Sequence, residues 1–524
     1  MKYIGITFGP ICRIASMARS TKAIWASSYI FSYLAKNIIR EFYLTRKRKF
    51  LLPQWSENES NTEQTVFEPH NGAGLFPDRY IFESKDDDFT ALKEKKQEVI
   101  ADISEKISRA LNKDKAKVQQ YIEKSIKVFF VEKEYGKDSS PFDIIKGITS
   151  SLDILDCEDL FCEEIVDGEN YFEEFFELAN SFLMADGFGK REDDSQDHRL
   201  IKTIFEYSAC ELQEESYWKK FDLPKPNINL VAEQGMPFVG KVDKKVQDRY
   251  MQYHNYIAIV KADGDYMGDT LKAMAEKGIS IYNLDKNLLA YNLSVIEKIQ
   301  VYGGVPIFLG GDDLLFFAPV VNGDHKNIFS LIDEINDLFN KQMENIGLGN
   351  NLKLTLSFGV SITYYKHPMH ESLDMAEQLL WDTKNSGKNC IKWQLRKHSG
   401  QIISGVLPKK YTDFYKESVK LIQDNSILNT GKENDRIFSS FVYWINGHWE
   451  MIKYAMDTDN SGNKLGNYFQ NSFDEQIHSS PTFKILKEDV FKIFVDCWKK
   501  VPEEILKQQV YGILRFILFI KNCE

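Results

Sequence analysis

Residues 305–319, Val-Pro-Ile-Phe-Leu-Gly-Gly-Asp-Asp-Leu-Leu-Phe-Phe-Ala-Pro, constrain this chain more than any other stretch. Two apolar runs meet at Gly310-Gly311-Asp312-Asp313. Glycine supplies the backbone conformations a tight turn needs, and the flanking runs, Ile307 to Leu309 and Leu314 to Ala318, are continuous enough for strands buried on both faces. The stretch therefore reads as a β-hairpin with two adjacent carboxylates at its tip. Neighbouring aspartates repel unless a cation lies beside them. A hard divalent ion, Mg²⁺ or Mn²⁺, suits carboxylate oxygen and nucleotide phosphate. A glycine turn with two aspartates also makes an ordinary solvated hairpin, so its surroundings must decide.

Upstream, Tyr256-Ile-Ala-Ile-Val-Lys-Ala-Asp-Gly-Asp265 is an apolar strand that ends in Asp263 and Asp265, followed by a helical stretch from Asp269 to Glu276. If the two strands are neighbours, Asp263 and the hairpin aspartates converge on one site, as two-metal phosphoryl chemistry requires. Downstream, His325 to Met343 carries apolar residues at helical spacing. Leu354 to Tyr364 alternates between apolar and small polar residues, as a two-faced strand does. Thr355, Ser357, Gly359, Ser361 and Thr363 make one face low, which predicts room for a nucleotide against it. Glu371 to Asn385 is a further helix, ended by Gly387. Lys384 and Lys388, near that end, are candidates to meet a triphosphate. The alternative is a pair of solvated lysines complementing the helix dipole.

Strand, helices, strand, hairpin, strand, helix, strand, helix is the order of a ferredoxin-like palm. The 524 residues allow three or four compact units, and 43% hydrophobic with 27% charged residues is ordinary globular composition. A net charge of −11 argues against a chain that wraps nucleic acid over most of its surface, and suits an acidic subunit docked on protein partners. The basic run Arg46-Lys-Arg-Lys49 is either a local RNA contact or a solvated helix end. Val510 to Ile520 is apolar but short and contains Arg515, so it predicts a buried helix rather than a membrane span. With no evident secretory signal, the expected location is the cytoplasm.

The motifs Ala262-Asp-Gly-Asp-Tyr-Met-Gly268, Leu309-Gly-Gly-Asp-Asp-Leu-Leu-Phe-Phe317, the strand through Ser357-Phe-Gly359 and the helix ending at Gly387-Lys-Asn389 resemble the catalytic palm of the large polymerase-like subunit of type III CRISPR effector complexes, most like the Cmr (type III-B) subtype. Ile4 to Pro10, Ala18 to Leu34 and Leu75-Phe-Pro-Asp-Arg-Tyr80 resemble that family's first palm and its Pro-Asn-Arg-Phe strand. Ala23 stands where the family often has aspartate, and Ser27 where it has glycine.

The resemblance implies an α+β chain with two ferredoxin-like palm domains, a helical insertion and a C-terminal helical bundle. The expected boundaries are 1–156 for a non-catalytic first palm, 157–250 for the insertion, 251–402 for the catalytic palm and 403–524 for the bundle. It implies a target-RNA-activated nucleotidyltransferase. Asp263, Asp312 and Asp313 would hold the metal with help from Asp265. Gly264, Asp265, Gly310, Gly311, Ser357, Lys384 and Lys388 would bind ATP. The product would be a cyclic oligoadenylate, or AMP joined to S-adenosylmethionine. Implied partners are other type III-B subunits and, through them, guide RNA and target RNA.

Members often bind zinc between the palms, but Cys157, Cys162, His198 and Cys210 lack close paired spacing, so free thiols are expected instead. No His-Asp dipeptide occurs, so no HD-type DNA cleavage is expected. Gly187-Phe-Gly189 lacks the context of a phosphate loop, and Asp457 to Gly462 reads as a plain turn rather than a calcium loop. Two other readings remain. One is a catalytically silent scaffold subunit, opposed by the intact acids. The other is a free-standing nucleotide cyclase, opposed by an acid-free first palm.

Overall fold

The computed structural model describes residues 1–11, 14, 21–55, 66–67, 72–85, 87–157, 171–177, 182–183, 186, 252–322, 326–349, 354–364, 367–423, 435–473 and 480–521. The expected insertion, Gly187-Phe-Gly189 and Cys162, His198 and Cys210 lie wholly or largely outside these residues.

Two ferredoxin-like units are present. The first runs β1 (Lys2–Gly9), α1 (Thr21–Arg40), β2 (Phe50–Leu52), β3 (Arg79–Ser84), α2 (Asp88–Leu111), α3 (Lys115–Ser125) and β4 (Lys127–Glu134), with sheet order β2-β3-β1-β4. α4 (Pro141–Cys157) covers β1, where Gly5 lets Ile148 approach. The short helix α5 (Tyr171–Glu177) packs on α1. Arg46 and Arg48 of the basic run are tied to Glu41, Asp87 and the buried Asp88.

The second unit runs β5 (Tyr256–Asp265), α6 (Met267–Glu276), α7 (Ile281–Tyr302), β6 (Val305–Gly310), β7 (Asp313–Pro319), α8 (Ile328–Glu344), β8 (Thr355–Tyr364), α9 (Met369–Asn385), β9 (Cys390–Arg396) and β10 (Ile402–Pro408). Its six-stranded sheet has the order β10-β9-β8-β5-β7-β6. The four strands β8-β5-β7-β6 repeat the order of the first sheet. β9 then adds parallel to β8 through the α9 crossover. β10 corrects the expectation of a helical bundle from 403 onward: residues 402–408 pair with β9 before the helices begin.

Period-two alternation sends the two faces of β5 into different cores. Tyr256, Ala258, Val260 and Ala262 meet α7, α8 and the C-terminal helices, while Ile257 and Ile259 pack with the first unit. Val305, Ile307 and Phe317 join that second core, so the palms share apolar packing. A main-chain bridge adds to it. Leu309 N–H donates to Gly74 O at 2.8 Å, and Gly74 N–H to Ile307 O at 3.4 Å, beside the outer edge of β6.

The small-residue face of β8 corrects another expectation. A Cβ on Gly359 would lie 2.1 Å from Ala376 O and 2.5 Å from Leu380 N, so the low face is the seat of α9 rather than of a nucleotide. Small side chains there permit backbone-close helix packing. Thr363 and Ser372 hydroxyls bond across the same interface at 2.9 Å.

The remaining described residues form helices: α10 (Thr412–Gln423), α11 (Asp435–Gly447), α12 (Trp449–Thr458), α13 (Asn463–Ser472), α14 (Pro481–Cys497) and α15 (Glu503–Ile520). α15 is the buried helix its apolar run predicted, with Phe516 against Trp393 and Phe519 edge-on to Tyr256. Asp459 caps the turn between α12 and α13 through the backbone N–H groups of Ser461 and Lys464. No helix among the described residues is long and apolar enough to cross a membrane.

Candidate functional site

The β5–β7 register pairs Ala262 with Leu314, so one position further Asp263 stands across from Asp313. β6 and β7 are joined through Gly311 at φ 69°, with Gly310 paired to Asp313. A positive φ is inexpensive for glycine, which explains the glycine before the acids. Asn292 on α7 donates from Nδ2 to Gly311 O at 3.0 Å and so pins the turn from beneath.

Gly264 brings the two strand ends together. A Cβ there would fall 2.3 Å from Asp312 Oδ2, a position only glycine leaves clear. Burial, and then the charge of Asp263, push the Asp312 carboxyl up to about 6. Asp313 is exposed at a cleft, yet protein atoms crowd it. Burial, Asp312 and Asp263 hold its pKa well above the usual carboxylate range, with Lys261 opposing. Three acids thus store mutual repulsion at one place.

Asp265, expected among the metal-holding acids, is placed otherwise. It is fully buried, and its carboxylate accepts from Thr355 Oγ1 at 2.8 Å, Ser357 Oγ at 2.9 Å, Lys384 Nζ at 2.9 Å and Asn389 N–H at 2.9 Å. With its lone pairs so engaged it ties β8 and the end of α9 to β5. Ser357, expected at ATP, is likewise buried with its hydroxyl on Asp265. The turn Gly387-Lys-Asn389 has φ of 115°, 61° and 48°, and this left-handed run delivers the Asn389 N–H.

The two lysines separate clearly. Lys388 Nζ lies over the Tyr266 ring, 4.3 Å from its centroid. Lys384 Nζ lies inside the site: 2.8 Å from Asp263 Oδ2, 2.9 Å from Asp263 O and 2.6 Å from Gly264 O.

Between the palms, beside Asp313, is a cavity of about 400 Å³. Thr7, Gly9, Ser28, Asp78 and Asp156 line it from the N-terminal side, and Lys261, Asp374 and Glu377 from the second palm. Ser28 is buried, and among the described residues its Oγ has no hydrogen-bond partner. Crowding and the neighbouring Asp156 raise the pKa of Asp78, while Arg79 opposes them. Sequence reasoning did not single out Asn292, Ser28 or Asp78. The one available signal was the aspartate at 78 in a strand resembling Pro-Asn-Arg-Phe.

Among the described residues no three acidic, histidine or cysteine side chains converge as a ready-made metal site. The donor chemistry nonetheless fits a hard divalent ion. Asp263, Asp312 and Asp313 supply carboxylates and Gly264 a peptide carbonyl, and a side-chain cation, Lys384, already stands among them.

Comparison with known proteins agrees with this architecture. The model of the Cas10/Cmr2 second palm domain matches residues 256–392, and that of the N-terminal domain of CRISPR-associated protein Cmr2 matches residues 3–127. The chain is 24% identical over 258 residues to the CRISPR system Cmr subunit Cmr2 of Pyrococcus furiosus. That match covers 44% of this chain and 28% of the relative, so it spans less than a third of the relative's length. A chain of the Csm1–Csm4 cassette in complex with AMPPNP shares the fold, with TM-score 0.50, 13% identity, and coverage of 99% of this chain and 69% of that one. A chain of the type III-B Cmr-beta complex bound to cognate target RNA is similar over 78% of this chain and 71% of that one, with TM-score 0.49 and 12% identity. With both its N-terminal domain and its second palm matched, the chain belongs to the Cas10/Cmr2 family.

Proposed function

We propose that this chain is the nucleotidyltransferase subunit of a type III-B CRISPR effector complex, switched on when guide RNA in that complex pairs with target RNA. The observation that carries the reading is the approach of Asp312 to Gly264, which brings Asp312 beside Asp263 while Asp313, across from Asp263, lines a cleft shared by two palms.

Asp263, Asp312, Asp313 and the Gly264 carbonyl would hold Mg²⁺ or Mn²⁺, which when bound activates a hydroxyl and neutralises charge on ATP. The hydroxyl oxygen of the acceptor forms a bond to the ATP α-phosphorus and loses its proton, the α–β bridging bond breaks, and pyrophosphate leaves. Gly310 and Gly311 keep the hairpin tip low so that phosphates approach the acids. Asn292 fixes the tip, and Asp265 with Ser357 holds the end of α9, from which Lys384 and Lys388 reach towards the triphosphate. The acceptor lies in the cavity between the palms, where the unpartnered Ser28 hydroxyl offers it a hydrogen bond.

The charge of that cavity bears on the acceptor. Asp78, Asp156, Asp374 and Glu377 outnumber Lys127 and Lys261 on its walls. A second ATP brings more negative charge into such a wall, whereas S-adenosylmethionine, with a sulfonium, an ammonium and one carboxylate, brings an adenosine hydroxyl on a molecule of net positive charge. AMP joined to S-adenosylmethionine is therefore the favoured product, and a cyclic oligoadenylate the second reading.

The test is the purified assembly with guide RNA, matching target RNA, Mg²⁺ and labelled ATP, with and without S-adenosylmethionine or its uncharged-sulfur analogue S-adenosylhomocysteine, and products resolved by mass. A target-dependent product that needs the sulfonium is expected. ATP-only oligomers would favour the second reading, and no product would favour a scaffold. Activity surviving the paired change Asp312→Ala and Asp313→Ala would sink the mechanism.

A further inference from the structure

The ammonium of Lys384 is surrounded by four oxygens: Asp263 Oδ2 at 2.8 Å, Asp263 O at 2.9 Å, Gly264 O at 2.6 Å and Asp265 Oδ1 at 2.9 Å. Two carboxylates and two peptide carbonyls form a set of hard donors of the kind a divalent ion takes. We propose that Lys384 is a built-in counter-cation that competes with the divalent ion for Asp263 and the Gly264 carbonyl, and so sets how tightly this site takes metal. The inference rests on the metal-holding role of Asp263 proposed above.

A carboxylate oxygen and a carbonyl already committed to an ammonium cannot be given fully to an ion beside it, because two cations on the same oxygens repel. Metal entry therefore requires Lys384 to let go of Asp263 and Gly264. Asp265 does not need the lysine to remain satisfied, since Thr355, Ser357 and Asn389 N–H donate to it independently. That asymmetry makes the exchange feasible. Lys384 releases the half-exposed Asp263, the Gly264 carbonyl and Asp265 together and swings its ammonium outward from the same helix end, while the fully buried Asp265 stays satisfied by its other three donors. The lysine also lowers the repulsion among Asp263, Asp312 and Asp313 while no ion is bound, as its opposing effect on Asp312 indicates. A phosphate-binding lysine with no such role would leave metal affinity in the absence of nucleotide untouched.

The experiment measures Mn²⁺ binding by electron paramagnetic resonance on the full chain without nucleotide, comparing wild type, Lys384→Met and Asp313→Asn. Lys384→Met removes the charge and keeps the length. It is expected to bind Mn²⁺ about tenfold more tightly than wild type, the size of an ordinary coupling between competing ligands. A second measurement uses wild type alone and so does not depend on the variant folding: labelling of Lys384 by an amine-reactive reagent, read by mass spectrometry, is expected to rise when Mn²⁺ is added. Unchanged or weaker Mn²⁺ binding in folded Lys384→Met, or Lys384 labelling that stays flat or falls while Mn²⁺ binds, overturns the proposal. Mn²⁺ binding that Asp313→Asn leaves intact, or none in wild type, overturns the metal-site reading beneath it.

Discussion

Gly264 and Asp312 occupy each other's space so closely that a single methyl group on Gly264 would lie 2.8 Å from Asp312 Cβ and 2.3 Å from its Oδ2. Gly264→Ala should therefore push Asp312 and the hairpin tip aside while the hydrophobic cores stay intact. Displacement of a reacting group by about 1 Å costs on the order of 100-fold in rate. Turnover of labelled ATP should fall by about that factor with little change in melting temperature, and unchanged turnover would mean that Asp312 is not held in place for the reaction.

Repulsion stored among the acids should be visible as stability. Asp312 has its pKa pushed up to about 6, above the ordinary 3.8, so the folded chain holds a proton that the unfolded chain has released between about pH 4 and pH 6. Its contribution is most favourable below pH 4 and is lost as pH rises through 6. Asp312→Asn should raise the melting temperature at pH 8 without Mg²⁺ and abolish transfer. A variant that melted lower than wild type under those conditions would contradict the electrostatic account.

Asp285 offers the same sign at a different place. It is buried on α7, accepts from the Gln54 N–H at 2.5 Å, and burial pushes its pKa up to about 7. Stability contributed here is full below about pH 4, falls as pH rises to 7, and is flat above. Asp285→Asn keeps an oxygen for Gln54 and removes the charge, so it should stabilise the protein at pH 8 by on the order of 1–3 kcal/mol. Melting curves of both proteins from pH 4 to pH 8 should diverge with rising pH; parallel curves would show that the carboxylate is solvated.

Gly359→Ala addresses packing rather than charge. Its methyl would meet the backbone of α9, which cannot rotate away as a side chain can. Overpacking of this kind costs about 1–3 kcal/mol, and a backbone neighbour puts this case at the upper end. Because α9 carries Lys384, which holds Asp263 and the Gly264 carbonyl against the ion, tighter Mn²⁺ binding should accompany a lower melting temperature, and calorimetry alongside metal titration would read both.

The sequence carried the hairpin and the acid-ended strand because glycine turns and apolar runs are local signals. Asp263 met Asp313 as expected once β5 and β7 paired. Two things were not local. The low face of β8 looked the same whether it faced a ligand or a helix, and only the approach of Ala376 and Leu380 to Gly359 decides for the helix. Lys384 and Lys388 likewise sit on one helix end with equal claims, and what distinguishes them is a strand end some 120 residues earlier in the chain. Asp265 and Ser357 were read as ligand-facing because short polar residues suit both solvent and a saturated buried network. β10 escaped notice because Ile402 to Pro408 is a short run whose strand character depends on its partner β9.

The hydrogen bonds between Gly74 and the β6 backbone have a mechanical consequence. An outer strand is ordinarily the loosest part of a sheet, free to fray or to accept a stranger. Here a segment from the N-terminal unit is clipped to it, one residue from the turn that bears Asp312. The tip is thus tethered at its root to both halves of the molecule, and a shift of the N-terminal segment at Gly74 bears directly on the strand that leads into the acids.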